Sequence, residues 1–396
     1  MSFYAHNQRN RRGIFLGLCR LISGVVPGQA LAAAALRARA VLIVTRCLIN
    51  GKPSGKLNAC RTRPSAYLYG TWVRSPRTSY WARAQRGLKG VVVSGNLVNS
   101  SAVMALLAIP NEVIWSYLVG GVVLAIGLVA IFLRGDWRKA RGFDKLILFG
   151  PLFYAAPLAA FGTEHFTRTK AIASIVPAWI PWHQFWAYFV GACFIAASLS
   201  LVTRVQARLS ASLLALTFFL FVVLMDAPGW AHNPRNRIAP TLMLRELSFS
   251  GGALALAASL TKQWRERGTH VLATIARYFL AIPVLFYSFE QFMHGNQVPG
   301  VPLKPLTPEY VYGHAIWTYL AAVVYAVAGT LLLVGKKTRA AATWVGLTVL
   351  FVELVVYVPI AVVERASLDN GLNYMADTLM FCGAVLLLAG AMPREA

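Results

Sequence analysis

Acidic side chains are what this 396-residue chain has least of: 14 Asp and Glu stand against 38 Lys and Arg, and residues 1–111 contain none. Charge of either sign is sparse, at 13% of residues beside 57% hydrophobic ones. That balance excludes an ordinary water-soluble globular domain. Cysteine is also scarce, five residues with no C-x-x-C spacing, and Cys193 and Cys382 fall inside apolar runs. A disulfide relay or a thiol redox centre therefore lacks its reagents. The strict apolar–polar alternation of barrel strands is missing too, so membrane-crossing segments here must be helices.

The basic excess is local. Residues 1–103 carry 16 of the 38 Lys and Arg, leaving 22 basic and 14 acidic residues in 104–396, a net of 22 − 14 = +8. A basic arm invites a nucleic-acid reading. The topology argued below puts the arm outside the cell, so no nucleic-acid partner is expected. Residues 9–35 make a poor signal peptide, because Arg20 breaks the apolar stretch. The expectation is that 1–103 is disordered or not translated, with translation starting at Met104.

What is present is length and apolarity. Continuous apolar segments occur near 113–133, 145–165, 183–203, 210–229, 243–262, 270–292, 314–334, 340–363 and 372–392. Each can cross a hydrocarbon core of about 30 Å. The predicted fold is an all-α integral membrane protein of nine transmembrane helices. A leading helix and loop (104–142) precede two tandem parallel four-helix bundles (143–268 and 269–396). Loops rich in Lys and Arg (134–145, 204–208, 262–267, 336–339) alternate with poorer ones. Placing the rich set in the cytoplasm predicts a multi-pass protein with a cytoplasmic C-terminus.

The two bundles are written in related sequence. Residues 183–262 align without a gap to 314–393, an offset of 131 that pairs His183 with His314, Trp186 with Trp317, Arg208 with Arg339, Pro228 with Pro359 and Glu246 with Asp377. The preceding helix matches at an offset of 126, pairing Pro157 with Pro283 and Glu164 with Glu290. The five-residue difference falls in the Pro-rich loop 294–313, where an insertion is tolerated.

Six acids lie in or at the ends of these segments: Glu164, Asp226, Glu246, Glu290, Glu353 and Asp377. An acid at mid-membrane costs roughly 2.5–3.5 kcal/mol even on lenient scales, so each needs a partner, a proton or a cavity. Glu246 and Asp377 are expected in first helical turns, favoured by the dipole, with Arg245 beside Glu246. Glu164 and Glu290 suit either helix-end hydrogen bonds or a ligand pocket. Glu353, whose equivalent is Val222, suits a single proton-coupling site or a hydrogen bond between the repeats. His183 and His314 could suggest haem, and Glu164, His165 and His183 a metal. An aromatic belt with Trp186 and Trp317 is the commoner explanation, and no metal is expected. The Pro-rich apolar loops 168–182 and 298–308 are expected to lie as lids over the acidic ends. Small residues at 248–253 and 383–384 read as close helix packing.

Each repeat resembles the DoxX-like family of four-helix bacterial membrane proteins. The resemblance rests on a first helix ending in a polar residue, then a Pro-Trp or Pro-rich loop, then a second helix starting near an aromatic, as in AAFGTEHF…VPAWIPWHQFWAYFVGACFIAASL. It covers about 143–262 and 270–393. It implies a bacterial inner membrane location and a role as a quinone- or lipophile-binding subunit, or anchor, of a redox assembly. The bilayer and a redox protein would be its partners. Quinone would be its cofactor, held by Glu164, His183, Trp186, Glu290, His314 and Trp317. The resemblance transfers no catalytic residues. Two rival expectations are a small-solute transporter using the inter-repeat interface, with Glu353 coupling protons, and a non-catalytic membrane scaffold.

Overall fold

The computed structural model describes residues 109–260, 267–303 and 305–394; the expectations for 1–103 lie outside them. Among the described residues the chain is helical, and its extended pairing is one isolated bridge between Gln297 and Leu306. The long helices are α1 Asn111–Leu133, α2 Gly150–Thr167, α3 His183–Thr203, α4 Ala207–Phe221, α5 Ile238–Ser259, α6 Arg267–Met293, α7 His314–Val334, α8 Thr338–Val352 and α9 Tyr374–Ala391. Eight of the helical stretches are long and apolar enough to cross a membrane. The remaining predicted span exists as α5. It carries the adjacent charges Arg245 and Glu246 about two turns from its start and is not among those eight.

Helix bounds recur at the intervals seen in the sequence. Adding 131 to the bounds of α3 and α4 gives those of α7 and α8, and adding 126 to the last residue of α2 gives the last residue of α6. The recurrence extends to irregularities. α4 and α8 each run into a five-residue π-helical turn, Val222–Asp226 and Glu353–Tyr357, followed by a short helix with Pro228 or Pro359 in its first turn. The widened turn spares the proline ring a clash with the carbonyl four residues back, on Leu224 or Val355. Left-handed backbone recurs as well: Trp182 and Gly313 precede α3 and α7, Arg204 and Gly335 follow them, and Gln206 and Lys337 precede α4 and α8.

Packing departs from two self-contained four-helix bundles. Neighbours along the chain pack side by side from α2 to α9. The closing contacts are exchanged, however: α2 lies against α9 and α6 against α5, with α5 and α9 crossing between them. The first helix of each half thus seats on the last helix of the other. α1 leans on α2 and α3. Residues Leu368–Ala391 are the most enclosed span, with 78% of the apolar window buried against 28% for α1. Small residues make this possible, as the Gly and Ala runs predict. A Cβ on Gly252 would stand 2.6 Å from the Ala384 Cα, and one on Gly383 would stand 2.4 Å from the Tyr154 backbone nitrogen.

The two ends of the helix array differ chemically. At one end arginines cap helix C-termini, whose last carbonyls have no intrahelical donors. Arg134 donates to the carbonyls of Val202 and Thr203, Arg277 to those of Leu332 and Leu333, and Arg339 to those of Ala389 and Met392. At the other end buried acids meet arginines.

Candidate functional site

The acid-rich end is organised around Arg245. α5 starts at Ile238, so Arg245 and Glu246 lie about two turns inside it, not in its first turn. Glu246 thereby loses the first-turn dipole position expected of it, whereas Asp377 does lie in the first turn of α9; both carboxylates join one ion-pair cluster. Arg245 Nη1 donates to Asp377 Oδ2 at 2.6 Å, and Nη2 donates to Glu246 Oε1 at 2.8 Å. Asp377 comes from α9 and Arg245 from α5, so this bond ties the two crossing helices. Glu246 and Asp377 are equivalents under the 131-residue offset, and a single cation serves both. Glu246 Oε2 and the nearby Asp226 Oδ2 are buried without hydrogen bonds.

Glu164 and Glu290 flank this centre, and each leans on the other half. Glu164 is buried at the end of α2 and accepts from Asn373 Nδ2 at 3.3 Å; Oε1 has no partner. Beside it, Arg168 pairs with Asp369 at 2.8 Å, which raises the guanidinium pKa further. Glu290 ends α6 and receives Arg237 Nη1 at 2.5 Å, while His294 Nδ1 lies 3.5 Å away. Arg237 Nη2 also donates to Gln297 Oε1 at 2.7 Å. Tyr287 ties α6 to α5, its hydroxyl donating to the Thr241 carbonyl at 3.2 Å.

His165, His183, Trp186 and Trp317 are not drawn into this network. His183 and Trp186 are three residues apart on α3, hence on one face, and that face points outward: Trp186 is exposed beside Phe185 and Phe189. Trp317 donates to the Tyr312 carbonyl at 2.6 Å and packs edge-on to Phe351. His165 Nδ1 hydrogen-bonds the Phe161 carbonyl of its own helix at 2.8 Å. The side chain of His314 lies outside the described residues. Among the described residues no group of three or more His, Cys, Asp or Glu is placed to hold a metal.

Glu353 opens the π-helical turn after α8. It is 3% exposed, and neither carboxylate oxygen has a hydrogen-bond partner. The inter-repeat bond weighed from the sequence does not form. Its surroundings are Tyr357 and Cys382, whose own donors are already engaged, with the Pro299 carbonyl at 2.7 Å and the Gly346 carbonyl at 3.3 Å. The loop above it behaves as half of the lid expectation. Val298, Val301 and Leu303 are buried, and Gln291 donates to the Gly300 carbonyl at 3.2 Å. The matching loop of the first half instead leaves Ile175, Trp179 and Trp182 exposed.

Arg245 is the residue that sequence reasoning undervalued, because Glu246 beside it suggested a local pair. Depth was the available signal: an arginine inside an apolar span is as expensive as an acid and has to be matched. Comparison with known proteins finds no matching family model, no matching curated protein and no matching solved structure.

Proposed function

We propose that the chain is a multi-pass inner-membrane protein of two tandem DoxX-like repeats. Its helices span the bilayer with the arginine-capped end and the C-terminus in the cytoplasm, and it carries a small solute coupled to protons. Insertion is supported by the outward faces of the helices, where Leu133, Leu213, Val327, Leu354 and Val362 are all more than half exposed. Such side chains need an apolar solvent. Tandem repeats are supported by the recurrence of π-turns and left-handed positions at one interval.

The observation that carries proton coupling is Glu353. A buried carboxylate without partners is neutral when it holds its proton and strongly disfavoured when it does not, which suits a group that gains and loses a proton with a conformational change. The acid excess around Arg245 supplies an outward approach for a proton or a cation. The test uses proteoliposomes under an imposed pH gradient, with internal pH followed while a panel of small organic acids is offered. Proton flux that depends on one solute and vanishes in Glu353→Gln is expected. Solute-dependent flux that persists in Glu353→Gln would refute the assignment.

A second reading, a quinone- or lipophile-binding subunit or anchor of a redox assembly, draws on the outer aromatic cluster of Phe166, Phe185, Trp186, Tyr188 and Phe189. The buried pairing of Glu290 with Arg237 weighs against a free pocket there. Quinone co-purifying with the protein and lost in Glu164→Gln with Glu290→Gln would favour this reading.

A further inference from the structure

At the arginine-capped end, α8 and the short helix Asp144–Ile147 enclose a cleft of about 520 Å³ lined by Arg141, Asp144, Ile147, Arg339, Trp344 and Arg394 among others. Its charge is deliberately one-sided. Asp144 accepts from Arg339 at 2.6 Å and from Arg394 at 2.5 Å, so one carboxylate holds two guanidinium groups side by side. Arg141 is exposed and has no ion-pair partner among the described residues. Three arginines against one aspartate leave a net of 3 − 1 = +2.

The cleft is also graded in polarity. Phe143 and Trp344 stand at its rim, more than half exposed, with ring centroids 6.0 Å apart. About one helical turn further along the chain from each, the half-buried Ile147 and Leu347 complete the lining. A cationic mouth, an aromatic collar and an aliphatic floor follow one another as the phosphate, glycerol and acyl parts of a phospholipid do. Guanidinium groups match a phosphodiester bidentately, and basic pockets between helices on the cytoplasmic side attract anionic lipids.

We infer that this cleft binds the headgroup of an anionic phospholipid from the cytoplasmic leaflet. The inference rests on the membrane reading above but not on transport. Arg339 belongs to the architecture, since it also caps α9; Arg141, without an ion-pair partner among the described residues, and Arg394, paired with Asp144 but with its side chain 77% exposed, are the recognising groups.

The full chain, purified in detergent, is examined by native mass spectrometry after exposure to phosphatidylglycerol or phosphatidylcholine. Wild type is expected to retain phosphatidylglycerol at roughly thirtyfold lower lipid concentration, and R141Q/R394Q to lose that preference. Equal retention of both lipids by wild type, or an unchanged preference in the double variant, overturns the site. Displacement of phosphatidylglycerol by millimolar inorganic phosphate would show a free-anion site and overturn the lipid source. Flotation with vesicles separates the two readings: protein that floats but shows no preference refutes the cleft alone, whereas protein that fails to float refutes the membrane reading beneath it.

Discussion

Replacing Arg245 with Leu should be the most damaging single change at the acid-rich end. The side chain donates to two carboxylates on two helices, and Asp377 is only 6% exposed. Removing one partner of a buried pair typically costs about 3–5 kcal/mol, because the remaining charge keeps its desolvation penalty. A fifth of the Arg245 side chain remains exposed, which places the expected loss near the lower end, about 3 kcal/mol. For a helical unit of this size that is a fall in Tm of about 6–12 °C. The stronger test removes every charge together. R245L combined with E246Q and D377N removes all three charges of the paired cluster, leaving the half-buried Asp226 as the one nearby acid, and neutral replacement of a buried pair is often close to neutral in stability. Thermal melting in detergent, followed by circular dichroism, should therefore show the triple variant recovering most of the loss of the single one. A single variant as stable as wild type, or a triple variant no better than the single, would refute the argument that Arg245 holds the seam by charge.

Three further outcomes follow from local geometry. Glu353→Gln should fold and melt within a few degrees of wild type, since no partner is lost; a fall of 10 °C or more would reveal a hidden counter-charge. Gly383→Val should be destabilised by at least about 2 kcal/mol in the same melt, because a branched side chain would displace the α2 backbone at Tyr154. Lys337→Gly should raise stability by about 1 kcal/mol, relieving a left-handed residue with φ 48° before α8, and no change in Tm would mean that this conformation carries no strain there.

The positions of the helices were legible because apolar length survives any packing arrangement: α3 and α7 coincide with their predicted runs from first residue to last. The exchanged packing was not. Small-residue patches occur on several helices, and nothing in the spacing of Gly252 or Gly383 says that the first meets Ala384 while the second meets Tyr154. The acids could be named one by one from their expense in an apolar segment. Their partners could not, because Asn373, Arg237 and Asp377 reach Glu164, Glu290 and Arg245 across 209, 53 and 132 residues of chain. His183 and Trp186 lie apart from the acids for a simpler reason. A shared face was readable from their spacing, but which way that face turns is decided by α2, against which α3 buries Ala187, Gly191 and Phe194 on the opposite side.

The exchange of helices constrains how such a protein could move. With α2 seated on α9 and α6 on α5, the halves cannot rock apart as two closed bundles without first dissolving contacts made through glycine. Those contacts, Gly252 with Ala384 and Gly383 with Tyr154, fix the inner part of the α5–α9 crossing at backbone distance. Arg245 and Asp377 lie six or seven residues nearer the acid-rich end, about 10 Å away along each helix. There the crossing is held by side-chain ion pairs rather than by close backbone packing, and side-chain pairs can exchange partners without unpacking a core. Two equivalent acids competing for one arginine offer two such pairings, one inside α5 through Glu246 and one across the seam through Asp377. If the chain carries a solute as proposed, opening has to begin at the acid-rich end, by surrender of the Asp377 bond, with the glycine contacts as the fixed hinge.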